Sequence, residues 1–390
     1  MKLLPFDVSK EWVIYIPVGM PVVTKSAEEV SHYLKLLRNQ SGLSLKPPLI
    51  RVCDTPSDRL LPRILLLSEG NSREQSGFSW HIEKNQIEIA GESDRGLYNG
   101  VFDFLTTLGF SWPEPDKEVL PPVNTRKPQE YLPKETYSYQ YAQGHTIRRR
   151  LLFERNQPSS TWKSLILWAV RNQIDTLVVS LYGSRLKGKR QQEPAGHPLI
   201  RFSRKLRAYY HGKEEVFDLA EKYALTIERG GWDLSLLVPR GYFGFNREIF
   251  RMDSGKRDRK YNFCPTAPDT LRLISREAEK IFRSHPETRV YHLWPDRGYE
   301  RTWCSCPTCR AFTLEEQGRI AVNAAADVLA MINPKGIISF YEHATGRGDI
   351  ALRPNLFRIS RLPGEAGAEA DGWFSATRFN PHPTKSMKHL

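Results

Sequence analysis

The sequence predicts an α/β protein in which a small N-terminal α/β domain is followed by an incomplete parallel β/α barrel. Three observations predict it. Short β-type runs crowd the chain up to Gly91, a proline-rich stretch then interrupts it, and beyond that stretch strand and helix patterns alternate with a regular beat. Alternation of this kind is the signature of parallel β/α units, whose crossovers wind right-handedly. Long loops at 183–212, 229–265 and 295–313 follow successive strands, which suits a TIM-type barrel whose carboxyl-end loops build a site.

In the first domain the β-type runs are Trp12–Val18, Leu49–Cys53, Arg63–Leu67, Phe78–Glu83 and Gln86–Ala90, with a helical stretch near Ala27–Asn39. Lys84-Asn85 reads as a hairpin turn. Leu97, Val101, Phe104, Leu105 and Leu108 then recur at three- and four-residue spacing, so a helix follows. Pro113, Pro115, Pro121, Pro122, Pro128 and Pro133 can neither continue a helix nor donate ladder hydrogen bonds, which bounds the domain at 1–112 and a linker at 113–136.

The second domain, 137–359, reads as strand Tyr137–Ala142, helix Trp162–Asn172, strand Ile174–Leu181, helix Lys213–Tyr223 and strand Leu225–Glu228. Helix Pro268–Arg283, strand Arg289–Trp294, helix Leu314–Ile332 and strand Gly336–Tyr341 complete about five of eight units. No phosphate-binding glycine pattern follows any of these strands, so a nucleotide-binding sheet is disfavoured. Residues 360–390 show no apolar periodicity and read as an irregular tail.

Composition narrows the function classes. A content of 40% hydrophobic and 11% aromatic residues excludes a disordered chain. No apolar run approaches the roughly 18 residues of a membrane span, and Pro5 and Asp7 break any signal-peptide apolar region. The chain as written therefore reads as cytoplasmic, or as secreted or periplasmic should its N-terminus be incomplete, with no membrane partner. The 57 Lys and Arg against 44 Asp and Glu give a net charge of +13. Fourteen of those cations fall between residues 145 and 210, including Arg148–Arg150, Arg185, Lys187, Lys189 and Arg190, and Lys256, Arg257, Arg259 and Lys260 form a second group. These could receive uronates, sulfates or phosphates, or form a solvated face. A nucleic-acid partner is not expected, because between Arg185 and Arg207 only Phe202 could stack a base.

The segment IEIAGESDRGLYNGVFDFLTTLGFSWPEPDKEVLP, Ile87–Pro121, resembles the end of the small domain that precedes the catalytic barrel in bacterial α-glucuronidases and β-N-acetylhexosaminidases. The segments ERGGWDLSLLVP (Glu228–Pro239), NFCPTAPDTLRL (Asn262–Leu273) and LWPDRGYERTWCSCPTCR (Leu293–Arg310) resemble a bacterial domain-of-unknown-function family, part of which is assigned to endo-β-N-acetylglucosaminidases. Trp232 stands where that family usually has a histidine. The resemblance implies a glycoside-hydrolase-like protein acting on N-acetylhexosamine- or uronate-containing glycans, with no catalytic cofactor. The alternatives are a non-catalytic carbohydrate-binding protein or truncated remnant, and, from another class, a nucleic-acid binder.

Glycoside cleavage needs an acid for the leaving oxygen and a second group, a carboxylate or the substrate's own acetamido oxygen, for the oxocarbenium-like centre. Positions just past the expected strand ends hold His145, Tyr182, Trp232 with Asp233, Asp296 and Glu342. Asp296, which matches the family's aspartate, is the expected acid or acetamido-orienting carboxylate, and Glu342 is the second catalytic candidate. Asp296 could equally cap its loop, and Glu342 could simply be solvated. His145, Tyr182, Trp232, Asp233, Arg185 and Arg190 are the expected substrate-binding residues, with Trp232 equally suited to packing.

Cys306-Pro307-Thr308-Cys309 has the spacing with which two thiolates grip one zinc, with Cys304 a third ligand and Cys264 a fourth. Such a site would be structural, since four thiolates leave no open position for water. A disulfide or free buried thiols are the other readings. Cys53, alone in the first domain, is expected in its core.

Overall fold

The computed structural model describes residues 11–40, 49–52, 62–69, 77–83, 86–122, 149–153, 161–181, 214–296, 302–342, 349–359 and 372–375. The chain divides into two compact units. The first comprises residues 1–149 with 161–176 and 216–226, and the second comprises 150–160, 177–215 and 227–390.

The first unit holds strands β1 (Val13–Ile16), β2 (Leu49–Val52), β3 (Arg63–Ser68), β4 (Phe78–Glu83) and β5 (Gln86–Gly91) in the order β2-β1-β3-β5-β4. β4 and β5 pair antiparallel with Glu83 opposite Gln86, as a tight hairpin requires, and the other pairs are parallel. Helix α1 (Pro21–Gln40), which starts earlier than the expected stretch near Ala27–Asn39, buries Val23, Val30, Leu34 and Leu37, and α2 (Asp94–Thr107) buries Leu97, Val101, Phe104 and Leu105, the three- and four-residue stripe read from the sequence. Ser93 caps α2 by accepting a hydrogen bond from the Gly96 amide. The start of the expected linker is instead an antiparallel hairpin of β6 (Ser111–Glu114) and β7 (Lys117–Val119). Its register shifts between Ser111 and Glu114, and this irregularity is where Pro113, with no N–H to donate, is tolerated.

Helix α3 (Trp162–Arg171) buries Trp162, Ile166 and Ala169 as its pattern requires, yet it groups with the first unit. The Trp168 indole donates to the Trp112 carbonyl, and the Arg95 guanidinium to the carbonyls of Val170 and Ile174. The next helix, α4, spans Glu214–Lys222.

The second unit contains a seven-stranded sheet in the order β15-β14-β13-β10-β9-β8-β16. Its strands are β8 (Arg150–Phe153), β9 (Thr176–Val179), β10 (Thr226–Gly231), β13 (Val290–Leu293), β14 (Ile337–Tyr341), β15 (Leu356–Ile359) and β16 (Trp373–Ser375), with a small hairpin of β11 (Met252–Asp253) and β12 (Lys256–Arg257) apart from it. The register pairs β10 with β13, β13 with β14, β14 with β15 and β16 with β8, all parallel. The sheet runs in chain order from β8 to β15, and the last strand returns to pair with the first, as the closing strand of a barrel does. This is an incomplete TIM-type barrel.

The expected strand Tyr137–Ala142 falls outside the described residues. The other four strands that were read are joined by three that were not, β8, β15 and β16. One of them, β16, comes from the stretch read as an irregular tail, where three residues are too short to show a period.

Helices α5 (Pro268–Ser284) and α6 (Leu314–Ile332) cover one face of this sheet. Leu273, Ile274, Ala278, Ile281 and Phe282 of α5 and Ala321, Val322, Ala325 and Leu329 of α6 share a core with Tyr291, Leu293, Ile338 and Phe340. A capping box between Thr313 and Glu316 starts α6. The alternate residues His292, Ser339 and Tyr341 are left to the other face, because successive strand side chains point to opposite sides.

The Gly-Gly pair ending β10 has a backbone reason. Gly230 sits at φ +117°, and a Cβ there would stand 1.9 Å from the His292 carbonyl oxygen of β13. The Gly230→Ala variant is expected to lose about 3 kcal/mol of stability through strain and displacement of β13. Urea unfolding checks this, and a loss within about 0.5 kcal/mol of zero, as at an ordinary surface position, would contradict the close approach.

Candidate functional site

The inner face of the barrel-type sheet carries a buried polar chain. Glu228 of β10 accepts hydrogen bonds from Arg150 of β8, at 2.6 Å from Nε and 3.2 Å from Nη2, and lies 2.8 Å from His292 Nε2 of β13. His292 Nδ1 meets the Ser339 hydroxyl of β14, and Trp294 Nε1 donates to that hydroxyl oxygen at 2.9 Å. Trp294 can only donate, so the Ser339 oxygen accepts from it; with the ring neutral, the form that burial favours, the Ser339 hydroxyl donates to Nδ1 and His292 donates from Nε2 to the carboxylate. Burial pushes the His292 pKa down, against the opposing pull of Glu228. Burial alone would raise Glu228, but the hydrogen bond from His292 and then the charge and hydrogen bonds of the Arg150 guanidinium outweigh it and hold the carboxyl well below the usual carboxylate range.

Aromatic rings lie against this chain. Trp373 of β16 stands 5.2 Å from Trp294 and 5.3 Å from His292, with the Arg150 guanidinium 5.1 Å over its ring. Trp232, next after β10, meets Trp294 edge-on at 5.5 Å and Tyr341 at 6.5 Å. Trp294 and Trp373 are buried, whereas Trp232 and Tyr341 are only partly so. The carboxyl ends of β10, β13 and β14 thus present an aromatic step.

Asp296 lies in the loop three residues past β13. Its amide donates to Asn262 Oδ1 at 3.0 Å, and its carboxylate is 3.6 Å from the Arg240 guanidinium with 23% of the side chain exposed. Arg240 is itself anchored on the Tyr261 carbonyl. Asp233 has a different part. Its carboxylate accepts from the Ser180 hydroxyl at 3.0 Å and the Leu181 amide at 2.8 Å, tying the end of β9 to the segment after β10. It was expected among substrate-binding residues but is 1% exposed. Glu342, the second catalytic candidate, is likewise buried, held 2.6 Å from Arg319 Nε and 3.4 Å from Arg358 Nη1. His145, Tyr182, Arg185 and Arg190 lie outside the described residues.

Of the second basic group, Arg257 turns inward. It donates to the Phe250 carbonyl at 2.8 Å, pairs with Glu248 and stands 3.7 Å from Cys304 Sγ. The sequence reasoning passed over Glu228, His292 and Trp373. A charged or imidazole residue inside an apolar strand run, as in TIERGG and VYHLW, was the available signal for the first two.

Removing one partner from a buried charge pair leaves the other uncompensated, so Glu228→Gln should cost about 3 kcal/mol or more. Because the folded pKa lies below the unfolded value near 4.5, the stability from Glu228 is complete above that value and is lost as pH falls toward about 2. Denaturant titrations across pH 2–6 should therefore show a shallower decline for the glutamine variant than for the wild type, whereas parallel declines would contradict the assignment.

No family model and no curated protein matches the sequence. Solved structures do resemble the fold. A chitobiase of Flavobacterium johnsoniae aligns at a TM-score of 0.54 and 14% identity over 96% of this chain and 54% of that one. An N-acetyl-β-hexosaminidase of Streptomyces plicatus in complex with Thio-NAglucal aligns at 0.52 and 13%, over 95% and 69%. A GH138 enzyme targeting pectin rhamnogalacturonan II aligns at 0.52 and 10%, over 89% and 38%. The chain spans about half the length of the chitobiase. The fold is glycoside-hydrolase-like.

Proposed function

We propose that the protein acts on glycans containing N-acetylhexosamine, binding them on the step formed by Trp232 and Tyr341 and using Asp296 on the reacting sugar. The observation that carries this reading is the half-buried Asp296 carboxylate, fixed through Asn262 and Arg240 just past β13. Apolar faces of pyranose rings suit partly exposed aromatic rings, which bury large areas at small entropic cost. The likeness to a chitobiase and an N-acetyl-β-hexosaminidase supports the substrate class.

The number of available carboxylates refines the chemistry. Asp233 and Glu342 are buried in internal bonds, which leaves Asp296 as the partly exposed acid among the described strand-end candidates. One carboxylate is insufficient for a two-carboxylate mechanism, but not where the substrate's acetamido oxygen supplies the second group. Asp296 would then give its proton to the leaving oxygen as the acetamido oxygen bonds to the anomeric carbon and the glycosidic bond breaks. Among the described cations Arg240 is directed to Asp296 and the Tyr261 carbonyl and Arg257 to Glu248 and the Phe250 carbonyl, so a uronate would have to be received by Arg185 and Arg190, which lie outside the described residues. The internal engagement of Asp233 and Glu342 also favours a second reading, carbohydrate binding without turnover.

The Asp296→Asn variant should lose at least about 100-fold in kcat on aryl N-acetylhexosaminides, with saccharide affinity nearly retained. Trp232→Ala should weaken N-acetylated oligosaccharide binding about tenfold, as expected for a stacking contact near 1.4 kcal/mol. Calorimetry and turnover assays separate the readings. Binding without hydrolysis in the wild type selects the non-catalytic one, and absence of both contradicts the proposal.

A further inference from the structure

The loop after β10 and the loop after β13 meet at four buried thiols. Cys264, Cys304, Cys306 and Cys309 are all free and all buried, and their sulfurs lie within 4.8 Å of one another. Cys264 Sγ is 3.8 Å from Cys306 Sγ and 3.6 Å from Cys309 Sγ. Zinc–sulfur bonds of about 2.3 Å set at tetrahedral angles give sulfur–sulfur edges of about 3.8 Å. Two of the edges, at 3.8 and 3.6 Å, are already close to that length, and sulfurs within 4.8 Å of one another need to contract by at most about 1 Å to meet the same tetrahedron.

We propose that these four cysteines bind one zinc ion in a closed, structural tetrathiolate site. Soft thiolate donors in tetrahedral array select zinc over the hard cations. Binding is balanced by proton release: four thiols and one divalent ion give a dianionic tetrathiolate complex and four protons. The surroundings suit that dianion, since ligand sulfurs in such sites take hydrogen bonds from outer donors. The amides of Met252 and Cys306 donate to Cys304 Sγ at 3.2 and 3.5 Å, and the Arg257 guanidinium stands 3.7 Å away. The Thr266 hydroxyl lies 3.1 Å from Cys309 Sγ and 3.5 Å from Cys264 Sγ. Cys306-Pro307-Thr308-Cys309 supplies the tight turn, closed by the Arg310 amide donating to the Cys306 carbonyl at 3.1 Å.

The protein fixes this turn from behind. Buried Gln317 of α6 accepts from the Cys304 amide at 3.2 Å and donates to the carbonyls of Cys304 and Cys309 at 3.2 and 3.3 Å. The ion would join segments far apart in sequence, and its position bears on the mouth: Asn262, two residues before Cys264, holds the Asp296 amide. With four protein ligands there is no open position for water, so the site orders two loops and takes no part in bond cleavage. The proposal stands independently of the glycan reading.

The test uses the full chain purified from zinc-supplemented medium without chelator. Elemental analysis should find one zinc per chain, and cobalt exchange should give the visible bands of a tetrahedral tetrathiolate. In the native holoprotein a thiol reagent should modify at most one of the five cysteines, Cys53, and after denaturation in chelator it should modify all five. A Cys309→Ser variant that folds should fall short of one zinc per chain. Should that variant fail to fold, the wild-type counts decide alone. Five thiols with no stoichiometric metal, fewer than five thiols after denaturation, or iron in place of zinc would each overturn the proposal.

Discussion

A single buried carboxylate organises the inner face of the barrel-type sheet. Glu228 gathers Arg150 from β8 and His292 from β13, and through His292 and Ser339 the chain reaches β14 and the Trp294 indole. A carboxylate removed from water is unfavourable unless it is fully paired. Here the pairing partners come from different strands, so satisfying the charge also sets the register among them. The aromatic rings above take their places from this chain: Trp373 packs against His292 under the Arg150 guanidinium, and Trp232 leans on Trp294. What the solvent meets at the strand ends is therefore decided by bonds that no solvent reaches.

The parts of the fold legible in the sequence are those with long or strict periods. The α2 stripe from Leu97 to Leu108 and the α5 and α6 patterns appear where they were expected, as do β3, β4 and β5. Short strands were less legible. Trp373–Ser375 has three residues, and Arg150–Phe153 was hidden inside a run of arginines that read as a basic loop. Arg150 itself shows why: its charge signals a solvated surface until the buried Glu228 is known to lie opposite it.

The site was legible in position more than in role. Reading residues past strand ends located Trp232, Asp233, Asp296 and Glu342, but sequence cannot tell an available carboxylate from one already occupied by neighbours. Asp233 satisfies the end of β9, and Glu342 lies between Arg319 and Arg358, both on partners distant in sequence. The cysteines were legible because their C-x-C-x-x-C spacing is local, and only Cys264 had to be brought from another loop. Asn262 connects the two features, being two residues from one proposed metal ligand and hydrogen-bonded to the backbone of Asp296.

The central claim is that Glu228 is ionised and accepts a hydrogen bond from a neutral His292 inside the sheet. Nitrogen-15 NMR of the imidazole ring measures this most directly. The account predicts a protonated Nε2 and an unprotonated Nδ1 at neutral pH, with any titration of the ring displaced below its ordinary value near 6.5, because burial disfavours the charged form. A ring that titrates near that value, or one with both nitrogens protonated at neutral pH, would contradict it.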